Sequence, residues 1–304
     1  MLVSEHPAAA ARRSATGLWS LVLAGVLWGT GGPTGSLLAH ETGLSPLAVA
    51  AYRLAAGGAL VIASLCLTRQ PLPRGRHAWA RMAVNGLLAA VFQACFFAAV
   101  SLTTVSLATL LTIGASPALV LSAEWIIGRR RVSARMLATV ALAVSGLALL
   151  VGTPSGGLAA TSVLAGAGFA LLSAAGFATM TFIGTRPVAG LHDLTGTGVS
   201  FAIGAAVLAP AATVTSGMDF VPTRASVGLL LLLGTAPTAV AYALYFRGLR
   251  TTPASRAALI ALLEPLVATL LATLFLGDRL GPTGLIGAAL ITTAIVVNTR
   301  STHH

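Results

Sequence analysis

The chain has 304 residues, 56% of them hydrophobic and only 8% charged, with a mean hydropathy of +0.92 and a formal charge of +11. A soluble domain carries about 25% charged residues, so these proportions exclude one and specify an integral membrane protein. Every basic residue is Arg; the arginines sit in short loops instead of on one water-facing surface, which excludes a nucleic-acid binder.

Ten segments are apolar and long enough to span a bilayer: 17–39, 45–67, 82–101, 105–127, 136–152, 162–183, 195–216, 226–246, 255–276 and 282–298. Sliding the chain by 148 positions lays Thr103-Thr104 on Thr251-Thr252, Gly86 on Gly234 and Pro117 on Pro265. The chain therefore reads as a duplicated unit. Each half has five spans, an odd number, so the halves enter the membrane from opposite sides and form an inverted repeat. The expected organisation is a disordered tail over 1–16, a first repeat over 17–152, a periplasmic linker over 153–161, a second repeat over 162–298 and a tail over 299–304. With both termini in the cytoplasm, only Arg224 and Arg279 fall outside and Arg53 lies within a span; all other arginines are cytoplasmic, as the positive-inside rule requires. Cys66 and Cys95 lie in spans and imply no disulfide framework.

Along the chain, the first span carries Trp28-Gly29-Thr30-Gly31-Gly32-Pro33-Thr34-Gly35. Its glycines read as packing notches or as a loosened backbone beside a cavity, with Gly29 a hinge candidate and Trp28 a flat wall for a ligand. The second span opens on Ser45-Pro46 and holds Arg53 about two turns in. A guanidinium cannot lose its charge, so Arg53 must meet a carboxylate, carbonyls or water at this depth. In the third span Gln93, Phe97 and Ser101 repeat every four residues and share a face. The fourth holds Thr112, Ser116 and the hinge candidate Pro117, then Glu124 close to Arg129-Arg130-Arg131, with which it is expected to pair. In the second half Phe177 stands where Trp28 stands in the first, and Tyr242 and Tyr245 answer the Gln93–Phe97 face. Tyr245 reads equally as an interfacial belt residue.

The ninth span contains Glu264-Pro265 in its apolar middle. The carboxylate lies ~12 Å from the start of its helix, near the centre of a core about 30 Å thick, and must be neutral, paired or wet. Pro265 has no N–H for the carbonyl of Ala261, which needs another partner, and this makes Pro265 a third hinge candidate. The depths of Glu264 and Arg53 agree within roughly 6 Å, so a direct or water-bridged pair is expected.

Trp28-Gly29, Ser45-Pro46 with Arg53, Ser116-Pro117 followed by Glu124-Trp125-Ile126-Ile127-Gly128, and Leu263-Glu264-Pro265 with Leu276-Gly277-Asp278-Arg279 resemble the EamA family of the drug/metabolite transporter superfamily. The resemblance covers about residues 17–298. It implies an all-α membrane protein of ten helices, two inverted five-helix repeats around a central cavity lined mainly by the third, fourth, eighth and ninth helices with the first and sixth. Among relatives the chain is similar to bacterial amino acid exporters, including those for aromatic amino acids. It departs from the pattern at Arg129, where an acidic residue usually follows the Gly closing the fourth helix.

The expected function is secondary transport in a bacterial cytoplasmic membrane: alternating-access export of a small amphipathic metabolite such as an amino acid. Arg53 would take its carboxylate, Glu264 its ammonium, and Trp28, Phe97 and Tyr242 its side chain. Multidrug or other metabolite efflux and passive facilitation are the alternatives. An enzyme is not expected, since all six His lie in loops or tails and neither H-E-x-x-H nor G-x-S-x-G occurs. No metal or cofactor site is read, the partners are a small solute and the lipid bilayer, and a single chain suffices.

Overall fold

The computed structural model describes residues 7–128, 133–151, 159–275 and 281–300. Among them the first half runs α1 (Pro7–Gly29), α2 (Gly31–Thr42), α3 (Pro46–Leu67), α4 (Arg76–Leu102), α5 (Val105–Ile126) and α6 (Ala134–Val151). The second half runs α7 (Ala160–Gly184), α8 (Asp193–Ser216), α9 (Arg224–Gly234), a π-helical stretch (Thr235–Val240), α10 (Ala241–Leu249), α11 (Ala254–Ile260), α12 (Leu263–Phe275) and α13 (Pro282–Arg300). These elements make ten spans long and apolar enough to cross a membrane. Three of the spans are broken: the first between α1 and α2, the eighth at the π-helical stretch, the ninth between α11 and α12.

Local chemistry sets several ends. The Ser45 hydroxyl accepts the Ala48 N–H at 3.1 Å with Pro46 at the first helical position, and Thr104 accepts Leu107 N–H at 3.1 Å to start α5. The first helix begins at Pro7, ten residues before the expected span. Proline at the helix start followed by an Ala run favours helix whatever the polarity of the segment. Most of the expected linker, Arg129–Arg131 and Gly277-Asp278-Arg279 lie outside the described residues.

The packing obeys the inverted repeat. The α4·α7 contact of the third and sixth spans has its counterpart in α10·α1, the eighth and first. The α5·α7 contact has its counterpart in α12·α1, and α4·α8 in the contacts of α3 with α9 and the π-helical stretch. Two contacts, α3·α8 and α6·α13, pair equivalent spans with each other. The α6·α13 crossing needs glycines: a Cβ on Gly146 would come within 3 Å of the Gly287 carbonyl and of the α13 backbone. Thr103 packs on Gly166 at one face of the bundle while Thr251, its equivalent 148 positions on, packs on Gly17 at the other.

Candidate functional site

All three breaks border one cavity of about 400 Å³, and a helix can be interrupted at membrane depth only where freed backbone groups find partners or water. Its lining reaches Ala39 and Pro46 on either side of one loop and Val100 and Val105 on either side of another, so it extends to the face bearing residues 43–45 and 103–104. At the opposite end it stops on Trp28, Phe177 and Tyr242.

Each break is repaired in its own way. In the ninth span Pro265 deprives Ala261 of its usual donor, and the Ala261 carbonyl accepts the Glu264 backbone N–H instead, at 3.0 Å. The repair uses the Glu264 main chain and leaves the side chain to face the cavity. Glu264 also stands in the first turn of α12, where a helix N-terminus favours negative charge. Among the described residues nothing hydrogen-bonds or ion-pairs with its carboxylate. In the eighth span Pro237 cannot donate to the Leu233 carbonyl, so the Thr238 hydroxyl does, at 2.6 Å. The Arg53 Nε then donates to Thr238 Oγ1 at 2.8 Å and its Nη2 to the Pro237 carbonyl at 3.2 Å.

That bonding bears on the direct form of the expected pair alone. Arg53 and Glu264 line the same cavity with no direct ion pair between them, and Arg53 is engaged by the π-helical stretch. Matching depth does not bring two side chains together when their helices present them to different neighbours. Glu124 is buried, and its Oε1 accepts the Ser255 N–H at 3.4 Å, while Oε2 has no hydrogen-bond partner among the described residues. Its expected arginine partners are outside the described residues.

Of the other expected site residues, Gln93 and Phe97 from α4, Thr112 and Ser116 from α5, Trp28, Phe177 and Tyr242 reach the cavity, as does Pro265. Gln93 is only 5% exposed, and its carboxamide has no hydrogen-bond partner among the described residues. Ser116 donates to the Thr112 carbonyl at 2.7 Å, one turn back beside Pro117, which is buried in α5 and not in the lining. Gly29 is not in the lining either; a Cβ there would strike Val267, so it acts as a notch for the ninth span. Ser101 points away and donates to the Ala98 carbonyl.

Tyr245 is neither a wall nor a belt residue. It is 1% exposed beneath the cavity, with its ring 4.8 Å from Trp28 and 5.7 Å from Phe177, and its hydroxyl bonds Thr181 Oγ1 at 2.9 Å. Tyr242 packs 4.9 Å from Trp28, and these rings form a packed floor. The Trp28 indole N–H in that floor has no partner among the described residues. Phe92, Phe96, Leu233 and Ala258 also line the cavity, and Pro237 with Thr238 hold Arg53; none of these six was expected as a site residue. A proline inside the eighth span, four residues after Leu233, was the available signal for the last two.

The EamA-like transporter family model matches residues 15–152 and again 164–300. The chain belongs to this family. The two matched segments follow the two halves of the repeat. A relative described as an uncharacterized transporter, YwfM of Bacillus subtilis (strain 168), is 31% identical over 277 residues, covering 91% of each chain. The protein PecM of Dickeya dadantii (strain 3937) is 31% identical over 163 residues, 54% of each chain. A solved crystal structure at 18% identity superposes with a TM-score of 0.79, covering 96% of this chain and 99% of that one, and shares the fold. The chain is a multi-pass membrane transporter of the drug/metabolite type. Among the described residues no three His, Cys, Asp or Glu gather as a metal site.

Proposed function

We propose that the chain is a secondary carrier that exports a small amphipathic amine-bearing metabolite, an amino acid or a close relative, from a bacterial cytoplasm by alternating access. The termini lie in the cytoplasm in this reading, and one chain makes a complete carrier. The observation that carries it is the Glu264 carboxylate, unpaired among the described residues, in a cavity lined by aromatic rings that ends on a packed aromatic floor. Glu264 takes the ammonium, Gln93 hydrogen-bonds the polar end, and Phe92, Phe97 and Trp28 cover the apolar part. Cavity size supports a solute of this class. The close-packed floor favours a carrier over a passive pore.

Efflux of cationic drugs is the second reading, favoured by one observation: Arg53 spends its Nε and Nη2 on Thr238 and Pro237 and makes no direct ion pair with Glu264, so the carboxylate stays available to a cation. Proteoliposomes loaded with unlabelled solute and presented with labelled amino acids, nucleosides and cationic dyes decide between them. The expected result is accelerated exchange of an amino acid. Accelerated exchange of the dyes alone selects the second reading, and flux without acceleration identifies a pore.

A further inference from the structure

A second pocket, of about 40 Å³, lies at the opposite face from the mouth of the cavity, among the ends of α4, α7, α8 and α10. Three of its lining residues are repeat equivalents of cavity residues: Gly184 answers Ser36, Pro187 answers Ala39 and Thr197 answers Val49, each 148 positions on. The pocket is thus the second half's version of the open mouth, collapsed. Between the two stand the Thr181–Tyr245 hydrogen bond and the aromatic floor.

Its charge is not the charge of the cavity. Arg81, Arg186 and Arg250 line it against Asp193 alone, and that aspartate is taken by Arg250 at 2.6 Å. Among the described residues Arg81 uses only Nη1, on the carbonyls of Ile183 and Arg186, while the Arg186 guanidinium lies 5.9 Å over the Phe182 ring and makes no hydrogen bond. Asn85 lines the same pocket, is 8% exposed, and its Oδ1 has no partner among the described residues. The same holds for the buried Ser200 hydroxyl, one turn along α8 from Thr197. Buried polar atoms left unbonded are uncommon.

We propose that this pocket is a second solute site, an antechamber that captures the carboxylate of the solute on Arg81 and Arg186 before the solute passes Asn85 into the central cavity. This rests on the carrier reading and adds to it the anionic group the solute must bear. A cleft walled by one sign of charge concentrates ions of the opposite sign about 10- to 1,000-fold, so the site acts on the rate of capture.

The test uses charge-selective thiol labelling of the full chain in detergent, in a Cys66→Ala, Cys95→Ala background. Thr197→Cys, or Ser200→Cys as the alternative reporter, is reacted with anionic methanethiosulfonate ethylsulfonate and with cationic methanethiosulfonate ethyltrimethylammonium. Leu208→Cys, 2% exposed in the core, sets the background rate. After correction for intrinsic reactivity, the anionic reagent is expected to react at least about tenfold faster, an advantage that Arg186→Gln reduces and Arg186→Lys retains. Labelling no faster than at Leu208→Cys for both reporters, or faster with the cation, overturns the proposal. Counterflow in the same preparations separates the two failures: exchange with silent reporters removes the antechamber alone, and anion-selective labelling without exchange removes the carrier reading.

Discussion

At the scale of single residues, what matters is which polar atoms already have partners. Glu264 has none among the described residues, so Glu264→Gln orphans nothing and inserts and folds like the wild type. A hydrogen bond to a charged group is worth about 1.5–3 kcal/mol, so the variant should bind an amine-bearing solute about ten- to a hundredfold more weakly. Equilibrium binding of the labelled amino acid in detergent measures this; affinity within twofold of the wild type would move the ammonium site elsewhere. Arg53 behaves in the opposite way. Arg53→Met leaves the Pro237 carbonyl and Thr238 without their donor, at a cost of about 1–3 kcal/mol, and the expected outcome is a lower thermal midpoint in detergent. An unchanged midpoint would show that the π-helical stretch holds itself.

Elements explain why some of this was legible and some was not. Ten spans follow from hydropathy alone because a bilayer sets their length. The Pro265 break is also readable, since a proline in a span must strand a carbonyl. What the proline's neighbours do about it depends on the third dimension: the Ala261 carbonyl takes the Glu264 N–H, and nothing in the order of residues says that the side chain stays free. Likewise the depth of Arg53 is countable along its helix, whereas its azimuth, which turns it toward the eighth span, is not. Pro265→Ala restores the missing donor and should straighten the ninth span, raising thermal stability while slowing exchange. The two measurements move in opposite directions only if the break serves motion; a parallel loss of both would make it a packing feature.

Across the whole molecule, the repeat predicts a second state, because halves built alike can exchange their arrangements. The described state has the first half's mouth open and the second half's equivalent collapsed onto Thr181, Tyr245 and the aromatic floor. The hydroxyl bond between Thr181 and Tyr245 belongs to the closed floor, so removing it with Tyr245→Phe should favour the exchanged state by about 1 kcal/mol without disturbing the ring contacts to Trp28 and Phe177. That free energy corresponds to about a fivefold larger minor population. A thiol at position 200, introduced by Ser200→Cys beside the collapsed mouth, should then react about fivefold faster in the Tyr245→Phe background, since its rate follows the population of the state that exposes it. An unchanged rate would mean that the ring stack alone holds the floor shut, and that the hydroxyl pair merely satisfies two buried groups.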